Sequence, residues 1–261
     1  MAMARVLIIA GSDSGGGAGI QADLKTVTNL GAYGMTAITA LTAQNTQGVF
    51  GVHPVPDDFI AQQIDLCLSD IGADAIKTGM LHSAGVIDTI LAHLPADVPL
   101  VVDPVMVAKG GSPLLEAEAL EALKTRLIPR ATLITPNLPE AELLLGRSIG
   151  ESAEEMVASA NELLLMGCKA VLLKGGHATG DTLTDVLIML GMKPILLKTK
   201  RIHTQHTHGT GCTFASAITA GIAQGMALPE AVQRAHAYVQ AAIAAAPGLG
   251  HGHGPLGWPR N

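Results

Sequence analysis

Short apolar runs alternate along this chain with longer segments of helical periodicity. Residues 6–10 (VLIIA) and 170–173 (AVLL) are apolar at every position. A strand has this composition when helices cover both faces of its sheet, which is the arrangement found in parallel α/β proteins. The alternation therefore predicts an α/β fold with a mainly parallel central sheet. Because the pattern is uniform, we expect a single domain over residues 1–261.

The same patterns predict the individual elements. Strands are expected at residues 6–10, 36–41, 75–78, 100–103, 132–135 and 170–173, and helices at 18–30, 57–69, 84–93, 113–127, 152–166, 213–224 and 229–246. The inward face of the helix over 57–69 is predicted to hold Phe59, Ile60, Ile64 and Leu68. Two further runs, 183–190 and 195–198, lie on either side of a short Gly/Pro-containing turn, which predicts an antiparallel hairpin.

The composition argues against several classes of function. The chain is 48% hydrophobic, has a net charge of −6 and shows no basic stripe, so nucleic acid is not expected as the main partner. Aromatic residues make up 2%, too few for a base-stacking platform. No apolar run approaches the roughly 18 residues that span a bilayer, so no membrane partner is expected. Three scattered cysteines indicate a reducing compartment, and we expect a cytoplasmic enzyme.

The most distinctive motif is a glycine-rich turn just before a predicted helix. Residues 207–214 read Thr-His-Gly-Thr-Gly-Cys-Thr-Phe, with two glycines on either side of Thr210. Glycine lets backbone N–H groups approach a ligand closely, and the first N–H groups of a helix lack partners within it. Together with the helix dipole, these features predict an anion-binding turn. The thiol of Cys212 could serve there as a nucleophile, as a base or merely as a small buried residue.

A second glycine-rich segment, residues 11–19, follows the first predicted strand. It lacks the Gly-Lys-Ser/Thr ending of a P-loop, and its G-x-G-x-x-A match begins seven residues past the strand, too late for a dinucleotide fingerprint. We expect this loop to fold over a small substrate, and the alternative is a flexible turn. Asp23, in the following helix, could line the substrate or simply complement the helix dipole.

Polar residues stand at the ends of three predicted strands, where ligands bind in open α/β sheets. Asp103 follows one strand, and Asn137 and Glu140 open a helix after the next. Together they resemble a site for hydrated Mg²⁺, although an acid at the position of Glu140 could equally complement the helix dipole. Lys174 ends a third strand before two glycines, which suits a nucleotide phosphate; a solvated surface lysine is the alternative.

Several histidines raise the question of a transition metal. His203, His206 and His208 follow no helical or zinc-site spacing, and no pair of thiols accompanies them. We therefore expect no transition-metal site.

Taken together, these stretches resemble the ribokinase-like superfamily, and within it the bacterial hydroxymethylpyrimidine/phosphomethylpyrimidine kinases of thiamine biosynthesis. The resemblance spans nearly the whole chain in the family's order and spacing, at residues 10–13, 15–25, 39–46, 77–81, 103–109, 134–140, 174–177 and 206–213. It implies a ribokinase-like three-layer αβα sandwich. It also implies phosphorylation of 4-amino-5-hydroxymethyl-2-methylpyrimidine and then of its monophosphate, with ATP as co-substrate, Mg²⁺ as cofactor and a homodimer as the assembly.

The resemblance further implies roles for individual residues. Gln44 would bind the aminopyrimidine ring, because an amide offers one donor and one acceptor to a ring edge that does the same. The other substrate-binding residues would be Gly11, Asp23, Met80 and Val107; ATP would contact Lys174, Asn137, Thr207 and His208; Asp103 and Glu140 would hold the metal through water; and Gly209, Thr210, Gly211 and Cys212 would form the catalytic anion hole. Met80 could equally be an ordinary core residue.

Cys212 narrows the resemblance to one branch. Sugar kinases of this fold usually have an aspartate base at that position, whereas the pyrimidine kinases have a cysteine. A helix N-terminus can lower a thiol pKa from about 8.5 to roughly 3.5–7.5, so Cys212 is predicted to accept the proton of the substrate hydroxyl. Two alternatives stay open: a pyridoxine/pyridoxal kinase of the same fold, and a non-catalytic nucleotide-binding sensor.

Overall fold

The computed structural model describes residues 2–106 and 114–258. Its strands are β1 (Arg5–Ala10), β2 (Tyr33–Ile38), β3 (Ala40–Asn45), β4 (Gly48–Pro54), β5 (Ala75–Thr78), β6 (Leu100–Val102), β7 (Leu133–Ile134), β8 (Ala170–Leu173), β9 (Thr182–Met189) and β10 (Ile195–Lys200). Its helices are α1 (Gly19–Asn29), α2 (Asp57–Asp70), α3 (Ala84–His93), α4 (Ala117–Ala122, continued by a π-helical and a 3-10 turn to Arg130), α5 (Leu138–Leu145), α6 (Ala153–Leu164), α7 (Thr210–Ala223) and α8 (Leu228–Ala244).

Eight of these strands form one sheet in the order β10-β9-β8-β7-β6-β5-β1-β2. Six neighbouring strands, β8, β7, β6, β5, β1 and β2, run parallel to one another. Strand β9 is antiparallel to both of its neighbours, β8 and β10. The predicted mainly parallel sheet and the terminal hairpin are thus confirmed. The remaining two strands, β3 and β4, pair with each other as a separate antiparallel hairpin.

Helices cover both faces of the sheet, and the pleat of β1 shows why its sequence is continuously apolar. Leu7 and Ile9 pack into a core cluster shared with α2 to α6, while Val6 and Ile8 pack against α1 and α7 on the other face. All four side chains are fully buried. Alternate residues of a strand point to opposite faces, so a strand between two helix layers requires apolar residues at every position. This arrangement is the three-layer α/β fold expected from the sequence.

The strand predicted at residues 36–41 is wrong in its extent. The chain leaves the large sheet after Ile38, and Ala40 begins the separate hairpin by pairing with Pro54. Between them, the buried hydroxyl of Thr39 donates a hydrogen bond to the carbonyl oxygen of Met80 at 2.7 Å. A contact across the sheet therefore interrupts a run of residues that looks continuous in the sequence.

Two helix predictions also need correction. Ile60 and Ile64 are fully buried as predicted, but Phe59 has 55% of its surface exposed. One residue turns a helix by about 100°, which rotates Phe59 off the face that Ile60 and Ile64 share. The helix predicted at residues 213–224 begins three residues earlier than expected, because α7 starts at Thr210. This places the glycine-rich turn within the first turn of a helix.

Among the described residues, no helix combines the length and the apolar character needed to cross a membrane.

Candidate active site

A cavity of about 570 Å³ opens at the carboxyl ends of the parallel strands. This volume lies within the range of sites for small organic ligands. The segments that follow β1, β5, β6, β7 and β8 all contribute to its wall, together with the hairpin and the start of α7. Parallel strands end at one edge of the sheet, so the polar residues predicted at separate strand ends meet here.

Most of the predicted site residues line this cavity. They are Gly11, Gln44, Met80, Asp103, Asn137, Glu140, Lys174, Thr207, His208, Gly209, Thr210, Gly211 and Cys212. Asp23 is absent from the wall, and Val107 lies outside the described residues. The sequence did not assign roles to Asp13, Thr42, Lys77 and His253, which also line the cavity.

The glycine-rich turn has the geometry of an anion-binding helix start. Gly209 is the N-cap residue of α7 with a φ of 83°, and no side chain in the described part of the chain caps this helix end. A Cβ on Gly209 would lie 1.8 Å from the carbonyl oxygen of Gly17. Both the positive φ and the close approach of the two loops therefore require glycine. The N-terminus of α7, with its partial positive charge, faces the cavity.

Lys174 and Asp103 lie beside this helix start. Lys174 Nζ is 3.1 Å from Asp103 Oδ1, which also accepts a hydrogen bond from the Thr135 hydroxyl at 3.0 Å. Burial by itself would lower the pKa of Lys174, but the carboxyl groups of Asp103 and Glu140 outweigh it and raise this pKa. Lys174 therefore stays charged, and it is paired and partly buried rather than the solvated surface lysine considered above.

Glu140 and Asn137 form a reciprocal cap at the start of α5. The Asn137 side chain accepts from the Glu140 N–H at 2.9 Å, and the Glu140 carboxylate accepts from the Asn137 N–H at 2.8 Å. The structural alternative considered for Glu140 is therefore realised, while both residues still line the cavity. Burial, aided by the charge of Asp103, raises the pKa of Glu140 to about 7 although Lys174 acts in the opposite direction.

The environment of Cys212 contradicts the expected ionisation of its thiol. Burial raises the pKa of Cys212 to about 12, even though the nearby Lys77 ammonium and a hydrogen bond from the Gly19 N–H act to lower it. A thiol with this pKa keeps its proton at neutral pH. The prediction that the helix N-terminus lowers the pKa of Cys212 is therefore wrong for the ligand-free chain.

Asp23 lies beneath the cavity rather than in its wall. Its carboxylate accepts hydrogen bonds from Lys77 Nζ at 3.0 and 2.9 Å and from the Ser216 hydroxyl at 2.7 Å, and all three residues are fully buried. Burial would lower the pKa of Lys77, but Asp23 outweighs it and keeps this ammonium charged. The signal for this pair was a lysine inside the buried strand β5, because a buried lysine needs a partner.

Asp13 organises the glycine-rich loop after β1, which also lines the cavity. Its carboxylate accepts from the backbone N–H groups of Gly15, Gly17 and Ala18 and from His208 Nε2, all at 2.8–3.0 Å. Burial opposes ionisation, yet the hydrogen bonds from His208 and the backbone outweigh it, so the pKa of Asp13 lies below its ordinary value. An aspartate two residues before a glycine turn is a recognisable turn signal that could have been read from the sequence.

His208 stands apart from the other residues assigned to ATP. Its Nε2 lies 2.8 Å from Asp13 and 3.3 Å from the side-chain amide of Gln44, the residue expected to bind the substrate ring. The ligand-free structure thus groups His208 with Gln44 and not with Lys174. Among the described residues, no group of three or more histidine, cysteine, aspartate or glutamate side chains could hold a metal ion.

Comparison with known proteins identifies the family of this chain. The family model for phosphomethylpyrimidine kinase matches residues 13–257. The chain belongs to the phosphomethylpyrimidine kinase family. It is accordingly a kinase, that is, a phosphotransferase. A hydroxymethylpyrimidine/phosphomethylpyrimidine kinase of Bacillus subtilis is 47% identical to it, over 98% of this chain and 94% of that protein.

A second relative is a much longer protein than this member of the phosphomethylpyrimidine kinase family. The thiamine biosynthesis bifunctional protein ThiED of Geobacter sulfurreducens is 54% identical over 96% of this chain but only 51% of its own length. The chain therefore spans about half of that relative.

Solved structures support the fold of this family member. The ADP complex of Bacillus subtilis pyridoxal kinase matches it with a TM-score of 0.88 and 39% identity, over 98% of this chain and 97% of that one. The three-layer ribokinase-like architecture predicted from the sequence is thus confirmed.

Proposed function

We propose that this chain uses ATP to phosphorylate 4-amino-5-hydroxymethyl-2-methylpyrimidine, and then phosphorylates the monophosphate to the diphosphate, in thiamine biosynthesis. The observation that carries the proposal is the layout of the cavity. The Gln44 amide lines it together with the helix start at Gly209–Cys212 and the ammonium of Lys174. A ring-binding group and a phosphate-binding group thus share one ligand-sized space, as an alcohol kinase requires.

The ring of the substrate would lie against Gln44 and an apolar wall. Met80, Val105 and Leu114 line the cavity and belong to one hydrophobic cluster. The sulfur of Met80 lies 3.1 Å from the position that a Cβ on Gly11 would take, so glycine leaves room for this side chain. A flat heteroaromatic ring suits such an apolar wall with one amide to fix its orientation.

The phosphates of ATP would lie at the end of the cavity opposite to the substrate ring. Backbone N–H groups at the start of α7 would donate to oxygens of the transferring phosphoryl group, with Lys174 neutralising charge and Asn137 and Thr207 completing the nucleotide side. Phosphoryl transfer has a loose transition state, so positioning and charge neutralisation supply most of the catalysis. Because Cys212 keeps its proton in the ligand-free chain, we propose that it positions the alcohol and is not the base.

The donor set fits Mg²⁺. Asp103 and Glu140 supply two carboxyl groups close enough for the charge of one to raise the pKa of the other. Mg²⁺ in kinases usually keeps several waters and binds phosphate oxygens with one or two carboxylates nearby, so Asp103 and Glu140 would hold it through water. When bound there, the ion would neutralise charge on the phosphates, while Lys174 would keep its place beside Asp103.

The proposal is tested by ADP release with the pyrimidine alcohol, its monophosphate and pyridoxine offered side by side. We expect turnover of the first two, with kcat/KM for the pyrimidine alcohol at least about tenfold above that for pyridoxine, a difference of about 1.4 kcal/mol. A Lys174→Met variant serves as the site control and should lose most of the rate. Faster turnover of pyridoxine would overturn the assignment of the substrate.

Pyridoxine is the alternative substrate to test, because the fold of this chain is similar to that of a pyridoxal kinase. A pyridoxal kinase superposes on this chain with a TM-score of 0.88, and both alcohols carry a hydroxymethyl arm on a flat heteroaromatic ring. Turnover of none of the three alcohols would overturn the proposed substrates altogether.

We also propose that the chain forms a homodimer. The β3–β4 hairpin exposes Leu41, Phe50 and Val52, with 46%, 72% and 37% of their surfaces accessible. Exposed apolar side chains on both faces of a two-stranded hairpin favour contact with another protein surface. Sedimentation analysis of the chain and of a Phe50→Glu variant tests this proposal, with a dimer expected for the first and a shift to monomer for the second.

The remaining expectations concern organisation and compartment. We propose one kinase domain, since one sheet includes strands from Arg5 to Lys200. Cys67, Cys168 and Cys212 are free thiols, which is consistent with the reducing cytoplasm.

A further inference from the structure

The side-chain amide of Gln44 is held at both of its polar ends. In the structure its Oε1 faces the Thr42 hydroxyl at 3.2 Å, and its Nε2 faces His208 Nε2 at 3.3 Å. The amide nitrogen and oxygen are nearly the same size, so the hydrogen-bonding capacity of the neighbours decides which end is which. Each neighbour has only one proton to give at these contacts.

The proton of Thr42 is already committed. Its hydroxyl lies 2.8 Å from the carbonyl oxygen of Ser12, which can only accept. The hydroxyl therefore donates to Ser12 and presents a lone pair to Gln44. A lone pair opposite the amide oxygen is repulsive, whereas opposite the amide nitrogen it completes a hydrogen bond.

The proton of His208 is committed in the same way. Its Nε2 lies 2.8 Å from Asp13 Oδ2, and an ionised carboxylate can only accept, so Nε2 carries a hydrogen. An N–H opposite the amide nitrogen of Gln44 sets donor against donor. The amide oxygen, in contrast, can share this hydrogen with Asp13 as a second, weaker acceptor at 3.3 Å.

The position of His208 is itself tightly constrained. Its backbone N–H donates to the Gly254 carbonyl oxygen at 3.1 Å, and a Cβ on Gly17 would lie 2.6 Å from His208 Cδ2. The ring therefore fills a fitted space between the glycine-rich loop and the carboxyl-terminal segment. It cannot turn away from Gln44 without disturbing its bond to Asp13.

We propose that Thr42 and the Asp13–His208 pair are positioning residues that orient the Gln44 amide with its two ends exchanged, so that Nε2 faces Thr42 and Oε1 faces His208. Thr42 and His208 each favour this orientation of the amide independently of the other. The amide then keeps one N–H on the Thr42 side and one oxygen lone pair on the His208 side for a ligand.

This orientation determines which ring edge is recognised; the identity of the ring rests on the proposed function. A 4-aminopyrimidine edge, with a ring nitrogen as acceptor and an exocyclic amino group as donor, would place its ring nitrogen on the Thr42 side. The 4-oxo analogue has a ring N–H and a carbonyl oxygen, so its donor and acceptor are exchanged. Binding it would require the amide to turn and to lose its favourable contacts with Thr42 and His208.

The orientation is tested directly by NMR on the isotopically labelled full chain without ligand. The side-chain NH₂ signals of Gln44 are assigned by their disappearance in a Gln44→Glu variant. We expect nuclear Overhauser effects from these protons to the Thr42 side chain. Effects to the His208 ring protons and not to Thr42 would overturn the proposal.

The consequence for specificity is tested by calorimetric binding of the 4-amino and 4-oxo pyrimidine alcohols without ATP. Thr42→Val removes the lone pair, and we expect the preference for the amino compound to fall by about tenfold, whereas Thr42→Ser retains it. Thr182→Val, at an exposed strand position, is the matched control and should leave the preference unchanged. In turnover, the Thr42→Val effect should appear in KM for the pyrimidine and leave kcat within about threefold.

An unchanged preference in a folded Thr42→Val protein would overturn the role of Thr42 in specificity. If the wild-type chain binds neither pyrimidine, the proposed function fails instead, and the NMR result still decides the orientation of Gln44.

Discussion

The ammonium of Lys77 lies 3.0 and 2.9 Å from the two carboxylate oxygens of Asp23, and both side chains are completely buried. The pair joins strand β5 to helix α1 directly beneath the cavity, where Lys77 also contributes to the wall. Charges in such a place are stable only as a pair, because each alone would lack the hydration it loses on folding.

Removing one partner should therefore destabilise the fold strongly. We expect Asp23→Ala to lower the free energy of unfolding by about 3–5 kcal/mol, and the double change Asp23→Leu with Lys77→Met to recover part of that loss. The control is Asp88→Ala, which breaks a half-exposed ion pair with Arg126 and should cost no more than about 1 kcal/mol. Urea unfolding measures all three, and equal losses for Asp23→Ala and Asp88→Ala would contradict the prediction.

Gly209 should not tolerate a side chain. In Gly209→Ala, the new Cβ would meet the Gly17 carbonyl at 1.8 Å, so we expect kinase turnover to fall by at least about tenfold along with stability. Gly225→Ala is a matched control, because its φ of 82° is almost the same but none of the described residues lies within 4 Å of the new Cβ. It should show only the cost of backbone strain, about 1 kcal/mol, with turnover retained. Similar turnover in the two variants would argue against the close approach of the loops.

Asp13 should contribute stability that depends on pH. Its folded-state pKa lies below the ordinary value of 3.8, so the contribution is present above pH 3.8 and is lost as the pH falls through the folded-state pKa. We expect Asp13→Asn to cost about 1–3 kcal/mol at pH 7, because an amide cannot accept all of these hydrogen bonds. The difference from wild type should shrink below pH 3.8, whereas the exposed Asp97→Asn should show little effect at any pH. A difference that stays constant down to pH 2.5 would contradict this linkage.

Cys212 should react as a protonated thiol. With a pKa of about 12, its rate of alkylation by iodoacetamide should rise about tenfold per pH unit from pH 7 to 10 without a plateau. The measurement uses Cys67→Ser with Cys168→Ala, so that Cys212 is the remaining cysteine. A plateau below pH 8 would show an ionised thiol and restore the role of base that the sequence suggested.

The elements of the fold could be predicted where one local pattern decides them. The run Val6–Ala10 is apolar throughout because both faces of β1 are covered, and the hairpin of β9 and β10 follows from a Gly/Pro turn between two apolar runs. The strand predicted at 36–41 failed because the bond from Thr39 to Met80 joins positions 41 residues apart. No local pattern contains that contact.

Local sequence patterns predict the α/β class, the glycine-rich turn before α7 and the polar residues at successive strand ends, because each of these depends on a few neighbouring residues. The contacts among those residues follow only from the packing of distant segments. Asp13 and His208 are 195 positions apart, and Asp23 and Ser216 are 193 apart, yet the packing of α1 against α7 brings both pairs into contact. The surroundings of Cys212 likewise keep its thiol protonated, since desolvation there outweighs the Lys77 ammonium and the hydrogen bond from the Gly19 N–H.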